Sequence, residues 1–268
     1  SSWLLMGLPG VAYLTGVADA AWTAIGLAIG TYLNWLIVAK RLRRYTVVAG
    51  NSITIPEFFS NRYRDKSRIL VAVSAIFIVI FFIPYTASGF AACGKLFSTL
   101  FGVSYVPAMI VSAIVIVAYT ALGGFSAAST TDLIQSIVMS FALICVVLFG
   151  VKTAGGTDVI LSQAGELPGY LSMTQTYMNG EATEYGAIKI ASMLAWGLGY
   201  FGMPHILLRF MAIEDEKKIK ISRRIATVWV VISMSVAIFI GIVGNNLSRN
   251  GALQVLEGSD SEKLIITL

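Results

Sequence analysis

The chain has 268 residues, of which 57% are hydrophobic and only 12% charged, with a mean hydropathy of +0.80. Soluble domains carry about 25% charged residues, so this composition excludes an ordinary soluble enzyme and reads as an all-α integral membrane protein. The net charge of +5 is concentrated in two segments and does not suggest a nucleic-acid partner.

Taken in chain order, the apolar start over 1–16 is interrupted by Gly7, Pro9 and Gly10, and reads as the second half of a helix. It resembles no signal peptide, because no basic region precedes the apolar run. The stretch 20–40 is a span, with Asp19 as its expected cap. Residues 45–68 form a basic loop, within which Pro56–Tyr63 could be a short interfacial helix. A long span over 69–97 should tilt, or kink at Pro84. Spans at 105–122 and 126–151 follow, separated by a tight Gly123-Gly124-Phe125 turn. The polar stretch 152–186 reads as an external loop. The spans at 187–212 and 225–246 complete the series, and the last residues look like the start of another helix. The sequence thus reads as a single transmembrane domain over 1–268, incomplete at both ends.

Of the nineteen Lys and Arg, eight lie within 40–68 and six within 209–224. The positive-inside rule places both segments in the cytoplasm, and the alternation of spans gives the same answer. Lys95 is expected to snorkel to the external interface. Cys93 and Cys145 both fall in apolar segments and suggest neither a disulfide nor a metal site.

The most informative stretch is Trp196-Gly-Leu-Gly-Tyr-Phe-Gly-Met-Pro-His205. Its glycines and its proline should break a membrane helix, which lipid tolerates only where the backbone lines a cavity or is buried in protein. Trp196 and Tyr200, four apart, would share one face of an α-helix. A discontinuous helix at mid-membrane depth is the usual pointer to a transporter's binding site. Two interrupted spans, 1–16 and 187–212, run in opposite directions with four continuous spans between them. That is the layout of a five-plus-five inverted repeat.

Several strings carry a resemblance: Ser2-Trp-Leu-Leu-Met-Gly-Leu-Pro-Gly10, Asp65-Lys-Ser-Arg-Ile-Leu70, Gly123-Gly-Phe125 with Thr131-Asp132 and Gln135, and Trp196-Gly-Leu-Gly-Tyr-Phe-Gly202 with Pro204-His205. Over the whole length the chain resembles the sodium/solute symporter family, and within it the bacterial sodium/proline symporters. The resemblance implies a LeuT-type inverted repeat with broken helices 1 and 6, here cut to core helices 1 (second half) to 7. It implies Na+ as coupling ion, L-proline or a similar small solute as substrate, and a multi-pass location in the cell membrane. No chemistry on the solute is implied, so the protein is not expected to be an enzyme. By the same resemblance Ser1 lies beside the sodium site and Asp132 on the sodium path, while Trp3, Tyr85, Trp196, Tyr200 and Pro204 shape the solute pocket. Ser2, Thr86 and Met203 depart from the proline-symporter pattern. Another amino acid, a vitamin carboxylate or a sugar acid would be distinguished at Ser2 and Met203. A symporter-like sensor domain is a further alternative.

The residues suit those roles chemically. Aromatic faces can cover a proline ring and its cationic amine, and half-helix N–H groups suit a carboxylate. Hydroxyl and carbonyl oxygens suit a hard cation. Asp132 reads equally as the N-cap of the helix it opens. His205, the single histidine, reads as a hydrogen-bonded structural residue or as a proton-coupling group.

Overall fold

The computed structural model describes residues 3–268. Long helices dominate it, because charge-free apolar runs can satisfy their backbone in lipid only by internal hydrogen bonding. A π-helical turn, Trp3–Gly7, leads into α1 (Leu8–Thr15), which stops at Gly16 with φ +86. Helix α2 (Val17–Leu33) continues through a second π-helical turn, Asn34–Ala39, into α3 (Lys40–Val48). Val17–Val48 is thus one helical rod extending past Lys40, and residues 45 to 48, expected to open the basic loop, belong to it. Asp19 lies in its first turn and accepts a 2.6 Å hydrogen bond from the Tyr185 hydroxyl.

Helix α4 (Ile55–Tyr63) follows from local chemistry. Thr54 is extended and its side chain accepts from Glu57 N, while Glu57 accepts from Ile53 N at 3.0 Å, and Pro56 sits in the first turn. Helix α5 (Ile69–Phe101) contains Pro84 and, at 33 residues, is roughly 50 Å long. Helix α6 (Tyr105–Thr153) is continuous except at Gly124, whose φ of 54 and ψ of −142 are not helical. Without that break its 49 residues would measure roughly 74 Å, more than twice the hydrocarbon thickness.

The stretch 152–186 is not a plain loop. It holds α7 (Thr157–Gly165) and an antiparallel hairpin of β1 (Gln175–Met178) and β2 (Glu181–Glu184), with Thr176 opposite Thr183. Then come α8 (Ala187–Leu194), a 3-10 stretch Ala195–Phe201, and α9 (Pro204–Met211), bent by 46° as a pair. A 3-10 turn, Glu216–Lys218, opens α10 (Ile219–Arg249). A further 3-10 turn, Gly258–Lys263, and α11 (Leu264–Thr267) close the chain. Among the described residues, four helices are long and apolar enough to cross a membrane, or five if the bent pair is one span.

The chain forms two compact units. The first comprises residues 3–21, Thr86–Ala187 and Ser233–Leu268. Its core is built on Tyr170, with Ile160, Ile242, Val243 and Leu247. The Tyr170 hydroxyl donates to the Ala12 carbonyl at 2.7 Å, and the Tyr170 carbonyl accepts from Val17 N at 2.8 Å. The Thr176 hydroxyl donates to Thr15 O at 3.0 Å, so the helix–hairpin insert is stapled to the end of α1. A Cβ at Gly16 would overlap the Tyr170 carbonyl, and a Cβ at Gly241 would crowd Pro9 O and Ala12 Cβ. The Lys95 ammonium pairs with Glu262 at 2.8 Å and donates to Ser259 O at 3.1 Å. The second unit comprises Trp22–Tyr85 and Ile188–Ile232, with Ala39, Phe210 and Ile219 at its core.

Candidate functional site: a broken helix held on a glycine stripe

The broken segment 187–211 belongs, from Ile188 on, to the second unit. The order of its contacts with α2 and α3 is informative. The Thr23 hydroxyl lies 3.4 Å from Met193 Sδ. A Cβ on Gly26 would collide with the backbone of Leu194, and one on Gly30 with the backbone of Gly197. Asn34 Nδ2 donates to the Tyr200 carbonyl at 2.8 Å. The Trp35 and Phe210 rings meet edge-on at 4.5 Å, and Arg43 Nη1 donates to the Met211 carbonyl at 2.9 Å. Both segments advance together along this series, so they run parallel. Arg44 then pairs with Glu216, which brings the two basic segments to the same end of this unit.

The physical basis is a stripe at Gly26, Gly30 and Asn34, spaced by four and so lying on one helix face. Two missing side chains let backbones approach, as in small-xxx-small helix pairs. The third position supplies an amide for a carbonyl that the break leaves outside the α-helical pattern. The signal for this stripe in the sequence is Gly26-Leu-Ala-Ile-Gly30, a GxxxG pattern in an apolar helix.

The site residues read from sequence divide between the units. Trp196 and Tyr200 lie in the 3-10 stretch, and Pro204 opens α9. The expectation that Trp196 and Tyr200 share a face needs correction. At three residues per turn, positions four apart are about 120° apart around the axis. Trp196 is 49% exposed, whereas Tyr200 is half-buried. Tyr85, on the turn after Pro84, stacks on His205 at 5.6 Å, and Phe82 meets the same imidazole edge-on at 5.5 Å. Tyr85 is thereby brought beside the start of α9. His205 is set in an aromatic cluster, an environment its reading as a hydrogen-bonded structural residue did not include.

Trp3 and Asp132 belong to the first unit. Trp3 starts a π-helical turn, a form of helix frequent at functional sites, and its indole covers Gly7, where a Cβ would stand 2.7 Å from Cδ1. Asp132 is not an N-cap. The helix resumes after Gly124 and runs through it, and the Thr130 and Thr131 hydroxyls donate back to the Ser126 and Ala127 carbonyls. Ser1 lies outside the described residues. Among the described residues no group of His, Cys, Asp and Glu is arranged to hold a metal ion. That has no bearing on a sodium site of hydroxyl and carbonyl oxygens.

These features define a multi-pass membrane protein with a span broken at its centre. The chain belongs to the sodium:solute symporter family, whose model matches residues 1–268. Sodium/proline symporters of Staphylococcus aureus strains USA300, NCTC 8325 and COL are each 39% identical to it over 244 residues, covering 91% of this chain and 46% of theirs. The chain therefore spans about half the length of the curated relatives it matches.

Proposed function

We propose that the protein is a sodium-coupled symporter that carries L-proline into the cell by alternating access, built on a LeuT-type inverted repeat with broken helices 1 and 6. The single observation that carries this reading is the span 187–211, bent by 46° around a 3-10 stretch, in a chain of this family. Trp3, Tyr85, Trp196, Tyr200 and Pro204 form the solute pocket in this proposal. Aromatic faces cover the pyrrolidine ring, and the N-terminal end of α9 favours the carboxylate. Ser1 ligates sodium at the break of helix 1, and Asp132 receives the ion on its way to the cytoplasm. Sodium organises helix 1 and favours the outward-open state. Solute and ion share that helix, so each raises the other's affinity by the same factor. Neither ion nor solute is chemically altered, so the protein is a carrier and not an enzyme.

Met203 supports a second reading, symport of another small solute. It occupies the N-cap of α9, where the proline-symporter pattern has Gln, and its side chain makes no cap hydrogen bond. Uptake of labelled proline by the intact protein in liposomes, with and without an inward sodium gradient and against a panel of competitors, decides between the two. Sodium-driven uptake blocked only by proline and close analogues is the expected result. Stronger block by another solute replaces proline and keeps the mechanism, and no sodium-driven uptake of any solute removes both readings. Trp196→Ala and Tyr200→Ala should each raise the apparent KM by roughly tenfold or more, as loss of an aromatic contact implies. Unchanged KM in well-expressed variants contradicts the pocket.

A further inference from the structure

Asn34 is a buried polar side chain in the second unit that packing alone does not explain. It is 1% exposed and opens the π-helical turn Asn34–Ala39. Its Nδ2 donates to the Tyr200 carbonyl at 2.8 Å. That bond fixes the orientation of the amide, since a carbonyl oxygen can accept only from the nitrogen end. Oδ1 therefore points elsewhere, and it is buried with no hydrogen-bond partner. Buried acceptors are rarely left so, and each such group is destabilising. Leucine has the same branched shape, would fill the site and would carry no such cost.

What leucine lacks is a direction. The faces of Gly26 and Gly30 let the 3-10 stretch come close, but smooth backbone contacts leave it free to rotate or slide. One hydrogen bond to the Tyr200 carbonyl sets its rotation. Trp196 and Tyr200 lie on that same short stretch, so their rings turn with it. Because Oδ1 is unfilled, the cost of burying it offsets much of what the bond contributes. The clamp is thus directional without being strong, which suits a segment that must move.

We infer that Asn34 is a positioning residue: its Nδ2 bond to the Tyr200 carbonyl sets how the 3-10 stretch presents Trp196 and Tyr200 to the solute. The inference rests on the proposed transport function for its kinetic readout, and one further readout is independent of transport. In the intact protein, Asn34→Leu should raise the KM for proline about tenfold, with Vmax per molecule of protein within about twofold. Asn34→Gln, which keeps the donor, should recover part of the KM. A merely structural role would lower protein yield and Vmax and leave KM unchanged, and that result overturns the inference. For the second readout, all native cysteines of the intact protein, Cys93 and Cys145 among them, are replaced by Ala, and Trp196→Cys is labelled with a maleimide. Adding Asn34→Leu should change the labelling rate about threefold or more, as a rotated segment requires. An unchanged rate overturns the inference even if the wild type carries no proline, whereas absent wild-type uptake with a changed rate overturns only the transport reading.

Discussion

The two units hold their irregular backbone by opposite means. In the first, the backbone around Gly16 is held by large buried side chains: the Tyr170 hydroxyl donates to the Ala12 carbonyl while its own carbonyl accepts from Val17 N, and Tyr13 donates to Ser248 at 3.0 Å and accepts from Leu256 N. In the second, the break at 195–201 is held by missing side chains, Gly26 and Gly30, and by one amide. Buried phenols with every polar group satisfied make a fixed joint. Backbone contact across glycines makes a joint that can slide, because it lacks interlocking side chains. The two joints therefore differ in what can move: the first is locked by interlocking side chains, the second is not.

The largest effect should come from filling the glycine stripe. A Cβ at Gly30 already meets the Gly197 backbone, so Gly30→Leu must push α2 away from the 3-10 stretch. Uptake by Gly30→Leu should fall below detection in the liposome assay, and Gly30→Ala should retain a small fraction. Normal uptake by Gly30→Leu would mean that close approach of the backbones is not required. Next comes the fixed joint. Tyr170→Ala should lower the stability of the intact protein by about 3–5 kcal/mol, as other buried aromatic truncations do. Tyr170→Phe should cost about 1 kcal/mol for the lost hydrogen bond. Thermal unfolding in detergent reads both, and the KM of whatever folds should stay near wild type. A raised KM in Tyr170→Phe would erase the contrast between the joints.

A smaller effect is expected at Lys95. Its pair with Glu262 ties α5 to the 3-10 turn Gly258–Lys263, but it is partly exposed, so Lys95→Met should cost no more than about 1 kcal/mol. The same unfolding measurement reads it, and a larger loss would place the pair among the structural supports of the first unit.

What the sequence revealed, and what it hid, follows the same division. Helices fixed by neighbours in sequence were legible: α4 from Thr54, Pro56 and Glu57, the interruption of α6 from Gly123-Gly124, and the broken span from Gly197, Gly199, Gly202 and Pro204. Features fixed across long separations were not. Tyr170 finds Ala12 across 158 residues and Asn34 finds Tyr200 across 166, and no local period announces either bond. The insert at 152–186 read as a loop because α7 and the hairpin are short and polar, and gain their order from the end of α1. The faces of Trp196 and Tyr200 were misjudged for another reason. Glycine and proline show that a helix changes, but they do not show that it tightens to three residues per turn.

The smallest effect tests a loop held by local hydrogen bonds. Asp65 follows Arg64, a left-handed residue at φ 52, and its carboxylate accepts from the Ser67 hydroxyl, from Ser67 N at 3.0 Å and from Leu70 N at 2.8 Å. The Ser67 hydroxyl first, and then the Leu70 amide, hold this carboxyl below its ordinary range. The folded value lies below the unfolded one, so the carboxylate's contribution is complete above the unfolded value of about 4. It is lost as pH falls from there through the lower folded value. Hydrogen exchange at the Leu70 amide should therefore be slow and nearly constant, after correction for intrinsic rates, at pH 5 and above, and should accelerate below about pH 4. Asp65→Asn, which can still accept but does not titrate in this range, should show weaker protection at every pH without that step. A step of the same size in Asp65→Asn would assign the acid sensitivity to another group. No step in the wild type would mean that the start of α5 is held by its packing and not by Asp65.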